Sequence, residues 1–266
     1  MIRELKIETL SKSRVKFISS LRMKKFREES RMFVAEGDKI VKDLLDSDYR
    51  VESIVVTKEW LDKNSERLYD FGVVYEAAPE VFSRISSAST PQGVLAVAFM
   101  KEQCLQKVDF QGNLVLVLED IRDPGNLGTI IRSAGWFGIS AVLCSKSTVD
   151  MYNPKVVQSS MGSIFFVNVL YEELKPFLER VFREGEIPVY GTALDGENIY
   201  TTHLTNHGII VMGHESGGIS PATQQYLTKT LRIPDFNHRP SEIDSLNVAV
   251  STAITCSEFR RRSVVG

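Results

Sequence analysis

Residues Leu114-Val-Leu-Val-Leu118 form an unbroken apolar pentapeptide, and the chain after it alternates strand-like with helix-like stretches. A strand with one wet face alternates apolar and polar residues. A continuous apolar run belongs to a strand covered on both faces, as in parallel sheets. Thr129–Phe137 reads as a helix, Ala141–Cys144 as a strand, and Lys155–Ser163 opens a helix. Phe165–Leu170 reads as a strand and Leu174–Glu184 as a helix. Pro188–Ala193, Gly208–Met212 and Leu231–Ile233 are further strands, and a helix from Ser245 to Arg262 closes the chain. Repeated units of this kind predict an α/β fold with a mostly parallel sheet and helices on both faces.

The first part of the chain has a different pattern. Arg31–Glu36, Val51–Thr57, Val73–Ala77 and Gly93–Phe99 read as four short strands. Between the first two, Ile40, Val41, Leu44 and Leu45 share one helical face, with Asp38 as the expected cap. Pro79–Ile85 is a second helix. A small four-stranded α/β domain over residues 1–100, a polar linker over 101–113 and a second domain over 114–266 account for the pattern. A length of 266 residues is ample for two buried cores.

Net charge is −2, so the molecule as a whole is not a polycation. Locally, Ser11–Arg27 carries seven basic residues and no acidic one: Lys12, Arg14, Lys16, Arg22, Lys24, Lys25 and Arg27. Such a segment either neutralises phosphates or is a solvated helix face. Arg260-Arg261-Arg262 is a second, weaker basic signal. Cys104, Cys144 and Cys256 are far apart and odd in number, as expected of packed, reduced thiols. The N-terminus lacks a signal-peptide core, and no apolar run reaches bilayer length. The expectation is a cytoplasmic protein with no membrane partner. His203, His207, His214 and His238 make no ligand motif, so no metal is expected.

Three constellations carry chemistry. Asp120-Ile-Arg-Asp-Pro-Gly-Asn-Leu-Gly-Thr-Ile-Ile-Arg132 lies where a buried strand gives way to a helix, the edge at which open α/β sheets bind ligands. Helix N-terminal amides there suit an anion, and Arg132 suits a phosphate bidentately. Gly213-His-Glu-Ser-Gly-Gly-Ile-Ser220 follows the strand Gly208–Met212 and adds glycines, which admit a ligand close to the backbone, and one carboxylate, Glu215. The third runs from Ile233-Pro234 through a polar loop to Ser245-Leu-Asn247, just before an Ala- and Val-rich helix. Taken alone, Ser245 and Asn247 read as helix caps.

In this order the three segments resemble the SpoU (TrmH) family of the SPOUT RNA methyltransferases. The residues that match the family motifs are Asp123, Pro124, Asn126, Gly128 and Arg132, then Gly213, Glu215 and Gly218, then Ile233, Pro234, Ser245, Leu246, Asn247 and Val248. The N-terminal half resembles the family's L30-like substrate-binding domain, with Glu36-Gly37 and Pro91-Gln92-Gly93 in familiar places. The third motif departs from the pattern. Asp235 replaces Met, no glycine follows, and Ser245 stands eleven positions beyond Pro234 where the family has seven, an insertion of four.

The resemblance implies a SPOUT α/β knot, a trefoil that is an exception to the rule against threading. It implies S-adenosylmethionine as cofactor, with Thr192, Ala193, Leu194, Gly213, Ile233 and Leu246 at the binding positions. It implies transfer of a methyl group to a ribose 2'-hydroxyl, with Arg132, Asn126, Glu215, Ser245 and Asn247 as site residues. Arg132 is then an electrostatic anchor and Glu215 the competing base, because a guanidinium keeps its proton to about pH 12. The implied partners are RNA, held by Lys12, Arg14, Arg22, Lys24, Lys25 and Arg27, and a second copy of the chain. Ribosomal RNA is favoured over transfer RNA. A non-catalytic RNA-binding relative is the alternative from another class. A dinucleotide-dependent oxidoreductase ranks far lower, since no Gly-x-Gly-x-x-Gly follows an early strand.

Overall fold

The computed structural model describes residues 7–68, 73–102, 105, 108–236 and 245–264; Cys104, His238 and the bulk of the insertion after Pro234 lie outside them. The chain opens with β1 (Ile7–Thr9), α1 (Lys12–Ser20), α2 (Lys24–Ser30), β2 (Met32–Glu36) and α3 (Asp38–Leu45). Next come β3 (Val51–Val56), α4 (Lys58–Asn64), β4 (Val74–Glu76), α5 (Pro79–Ile85) and β5 (Val94–Phe99). The later part holds β6 (Leu114–Leu118), α6 (Pro124–Trp136), β7 (Ala141–Ser145), α7 (Pro154–Ser159), β8 (Asn168–Glu172), α8 (Leu174–Glu184) and β9 (Val189–Asn198). It ends with β10 (Gly208–Met212), α9 (Pro221–Gln224), β11 (Lys229–Arg232) and α10 (Val248–Val264).

Two compact units emerge, and neither is continuous in sequence. The first comprises residues 1–102 with 150–166, the second 103–149 with 167–266. The boundary expected at 113/114 therefore does not separate them, because α7 and the turn after it belong to the first unit. Nor is 101–113 a free tether: Leu105, Val108 and Phe110 pack on the core of the second unit, with the Phe110 and Phe177 rings 5.4 Å apart.

In the first unit the sheet has five strands, not four, in the order β1-β4-β3-β5-β2. The extra strand, β1, has three residues, too few to show a period. A core of Ile18, Leu21, Val55, Phe82, Leu95 and Val97 fills one side. Asp38 does not cap α3 as expected. Gly37, at φ +107°, occupies the cap position and has no side chain, so Gln92 Oε1 accepts from Asp38 N instead, at 2.8 Å. The Asp38 carboxylate accepts from Trp60 Nε1, and its pairing with Lys42 holds its pKa below the usual range. This places Glu36-Gly37 and Pro91-Gln92-Gly93 side by side. Residues 150–166 close the unit through an aromatic cluster: the Phe33 ring lies 4.5 Å from Tyr152 and 6.4 Å from Phe165.

The second unit is a six-stranded, wholly parallel sheet in the order β11-β9-β10-β6-β7-β8. Every residue of β6, β7 and β10 is buried, which is why their sequences do not alternate. Several elements shift from their expected bounds: α6 starts at Pro124 instead of Thr129, β9 runs to Asn198 instead of Ala193, and β11 is Lys229–Arg232 instead of Leu231–Ile233. Phe165 lies in a 3-10 turn, and the strand forms at Asn168–Glu172. The helix expected from Lys155 to Ser163 ends at Ser159. The closing helix starts at Val248, and Asn247 caps it: Asn247 Oδ1 accepts from Ala249 N at 2.9 Å.

Candidate active site

The carboxyl ends of β6, β9, β10 and β11 are where the second unit gathers its polar groups. After β6, Asp123 caps α6 by accepting from Asn126 N at 2.9 Å, with Pro124 in the first turn, where no N–H is needed. The cap fixes Asn126 as the third residue of the helix. Asn126 Nδ2 then donates to Glu215 Oε1 at 3.2 Å. Asn247 Nδ2 donates to Asn126 Oδ1 at 2.9 Å while its own oxygen caps α10. Asn126, Glu215 and Asn247, one from each motif, thus form a single hydrogen-bonded chain.

Glu215 lies in a tight loop closed by backbone bonds between His214 and Gly218, at 3.0 and 2.9 Å. The His214 ring turns into this loop, and its Nδ1 accepts from Ser216 N at 3.1 Å. Gly213 has no room for a side chain, since a Cβ there would come within 2.1 Å of the Gly218 backbone. Glu119, immediately after β6, accepts from Ser220 N, Ser220 Oγ and Thr223 Oγ1 at 2.8, 2.7 and 2.7 Å. Glu119 was not singled out in the sequence. The available signal was a carboxylate placed directly after an apolar strand. Glu119→Gln leaves the carboxamide NH2 facing hydroxyl and amide donors. The expected cost is about 1–2 kcal/mol in chemical denaturation, with weaker closure of the loop.

A cavity of about 620 Å³ opens over these loops. Thr192, Ala193 and Leu194 form one wall, Gly213–Ile219 a second, and Leu231–Ile233 with Ser245, Leu246 and Val248 a third. All six positions expected for a cofactor, together with Glu215 and Ser245, line it. Arg132 does not. Six residues beyond Asn126, it is turned about 240° around the helix from it. It is exposed on a stripe with Thr129 and Trp136, and its side chain has no hydrogen bond or ion pair among the described residues. The structure therefore unites Asn126, Glu215 and Asn247 and leaves Arg132 on another face.

Asp120, two residues beyond β6, sits in the left-handed region, at φ +58°. The Arg122 guanidinium holds the Asp120 carboxyl below the usual range, helped by Ser147 and His214. Among the described residues no three His, Cys, Asp or Glu side chains gather as a metal-binding group. Cys144 and Cys256 are buried, which pushes both thiols up, Cys256 to about 12.

The basic segment needs correction. Arg27 is 2% exposed and bonds to Asp150 Oδ2 through Nε and Nη2, at 3.0 and 2.5 Å. Its Nη1 donates to the carbonyls of Leu21 and Arg22. It is a core ion pair, with four of its five N–H groups committed and its side chain buried away from any RNA. Arg14 is held by Glu52 and Ser53, and Arg22 donates to the carbonyls of Arg84 and Ser86. Lys12, Lys24 and Lys25 remain exposed, the last two beside Glu28 and Glu29. The Arg260–Arg262 run is structural as well. Arg260 caps the carbonyls of Phe137 and Gly138 after α6, and Arg262 binds those of Ile199, Tyr200 and Thr202.

Residues 113–257 match the family described as SpoU rRNA Methylase, more than half of the chain. The chain belongs to the SpoU family. Residues 12–96 match a domain described as MRM3-like substrate binding. The 23S rRNA (guanosine(2553)-2'-O)-methyltransferase RlmP of Bacillus subtilis is 31% identical over 259 residues, 96% of this chain and 98% of that protein. A TrmH-family structure from Porphyromonas gingivalis is 38% identical with a TM-score of 0.84, covering 96% of this chain and all of that one. An AdoMet-bound rRNA methyltransferase from Sinorhizobium meliloti is 30% identical, again with a TM-score of 0.84, covering 97% of this chain and 98% of that one. The SpoU match spans all three motifs, two of which line the cavity, and the substrate-binding match lies wholly within the first unit.

Proposed function

We propose that this SpoU protein transfers a methyl group from S-adenosylmethionine to a ribose 2'-hydroxyl of 23S ribosomal RNA. The observation that carries the reading is the cavity, where residues of the second and third motifs meet beside the Asn126–Glu215–Asn247 chain. The cavity fits the cofactor. Met212, Leu231, Ile233 and Leu246 give apolar walls, the Gly213 backbone allows close approach, and Glu215 and Arg232 supply one charge of each sign. Bound there, the cofactor supplies a methyl group already activated by the sulfonium charge.

The chain's own residues then position and deprotonate the nucleophile. Asn126 occupies Glu215 Oε1, leaving Oε2 as the acceptor for the 2'-hydroxyl proton. Asn247 fixes Asn126, and Ser245 stands at the cavity edge to orient ribose. Arg132 holds an RNA phosphate and stabilises developing negative charge on the attacking oxygen. Exposed Lys12, Lys24 and Lys25 add affinity for RNA in the first unit. On this reading α10 belongs to the thread of a trefoil knot. The described residues contain no helix long and apolar enough to cross a membrane, and the proposed place of action is the cytoplasm, with ribosomal RNA.

The deciding experiment maps 2'-O-methyl positions in total RNA with and without the gene. One lost site in 23S rRNA is the expected result. A lost site in transfer RNA alone, or none, overturns the substrate.

Arg132 also favours a homodimer. The stripe of Thr129, Arg132 and Trp136, with Trp136 85% exposed, lies on α6 beside α10, where Val250 is 48% exposed. A second copy covering this stripe would bring Arg132 to the partner's site. Trp136→Glu should then give a monomer by light scattering. Mixed, refolded Arg132→Ala and Glu215→Gln chains should regain activity that neither has alone. No regain would mean that each subunit works by itself.

A further inference from the structure

Resting on the cofactor reading above, we infer that Arg232 is a cofactor-binding residue that pairs with the carboxylate at the methionine end of S-adenosylmethionine. Among the described residues that line the cavity, Arg232 is the only arginine or lysine, and Glu215 the only aspartate or glutamate. They stand on different walls: Glu215 in the loop after β10, Arg232 at the end of β11. The amino-acid end of the cofactor is a zwitterion, with an ammonium and a carboxylate on one carbon, and the sulfonium adds a second positive charge nearby. The carboxylate of such a ligand is matched by a fixed cation in its site, and Arg232 is the one this cavity offers among the described residues.

Arg232 differs from the arginines that hold the fold. Arg27, Arg260 and Arg262 each donate to named carbonyls or carboxylates. The Arg232 side chain is exposed and makes no hydrogen bond or ion pair among the described residues. Its backbone is nevertheless fixed. β11 pairs Arg232 with Asn198 of β9, and Ile199 N donates to Arg232 O at 3.0 Å. The next residue, Ile233, is also in the cavity wall. A strand-anchored backbone with an uncommitted guanidinium suits bidentate capture of a small carboxylate, and a planar fork discriminates carboxylate from neutral groups better than an ammonium does.

The test separates this contact from a general effect on the cavity. Affinities of S-adenosylmethionine and of its decarboxylated analogue, which lacks only the carboxylate, are measured by calorimetry on the full-length protein. The wild type, Arg232→Lys and Arg232→Gln are compared without RNA. The wild type should prefer the carboxylated cofactor by roughly tenfold or more, the scale of one charge-assisted hydrogen-bonded pair. Arg232→Gln should lose that preference while binding the decarboxylated analogue as the wild type does, and Arg232→Lys should fall between. Equal weakening of both ligands would mean a structural role and overturn the assignment. Unchanged preference would also overturn it, including where Arg232→Gln weakens only RNA binding. A wild type that binds neither ligand would instead sink the cofactor reading itself.

Discussion

Arg132→Ala is expected to lower methyl transfer by about 100- to 1,000-fold while cofactor affinity and thermal stability stay near wild type. The side chain is exposed and makes no hydrogen bond or ion pair among the described residues, so its removal leaves no buried partner unsatisfied. Substitutions of that kind usually change stability by no more than about 0.5 kcal/mol. Arg132 does not line the cavity, so calorimetry should find the cofactor bound normally. The loss should appear in single-turnover transfer at saturating RNA, because the lost contact is with charge that develops during attack. Arg132→Lys keeps a positive charge but not the fork, and should recover only part of the rate. Near-normal turnover of the alanine variant would remove Arg132 from the chemistry.

The second large effect is on stability. Arg27→Ala should destabilise the protein by about 3–5 kcal/mol, the usual consequence of breaking a buried ion pair from one side. Asp150, 16% exposed in the intact pair, would be left with its charge uncompensated, and the carbonyls of Leu21 and Arg22 would lose their donor. For a chain of this size that is roughly a 5–9 °C fall in melting temperature. The double variant Arg27→Met with Asp150→Leu replaces both charges with apolar groups and should recover much of the loss. Should Arg27→Ala instead melt like the wild type and weaken RNA binding, Arg27 would return to the RNA surface.

Arg27 also shows where sequence reading stops. Its neighbours Lys24 and Lys25 are exposed, and nothing within the run of seven basic residues distinguishes it from them. Its burial is decided by Asp150, 123 positions away. The motif residues were legible for the opposite reason. Asn126, Glu215 and Asn247 each follow a strand or precede a helix, and in a parallel sheet such positions lie at the ligand-binding edge. Their mutual bonds were not legible, since they join residues 89 and 121 apart. The strands β6, β7 and β10 were read from unbroken apolar runs, whereas β1 has three residues and α4 is too short to show a clear period. The face carrying Arg132 follows from helix geometry alone once the start of α6 is known.

The discontinuity of the two units has a consequence for synthesis. The first unit needs residues 150–166, so it cannot be completed when Glu102 leaves the ribosome; 64 further residues (166 − 102) must be made. At about 5–20 residues per second this takes roughly 3–13 s. Through that interval Phe33 and Tyr49 lack the rings of Tyr152 and Phe165, and Arg27 lacks its carboxylate. By the time those partners arrive, β6, α6 and β7 have already been made. The nascent chain therefore cannot finish one unit before starting the other. It carries an open aromatic surface and an unmatched cation until both are under way, and in that window a chaperone or a premature pairing would have most effect.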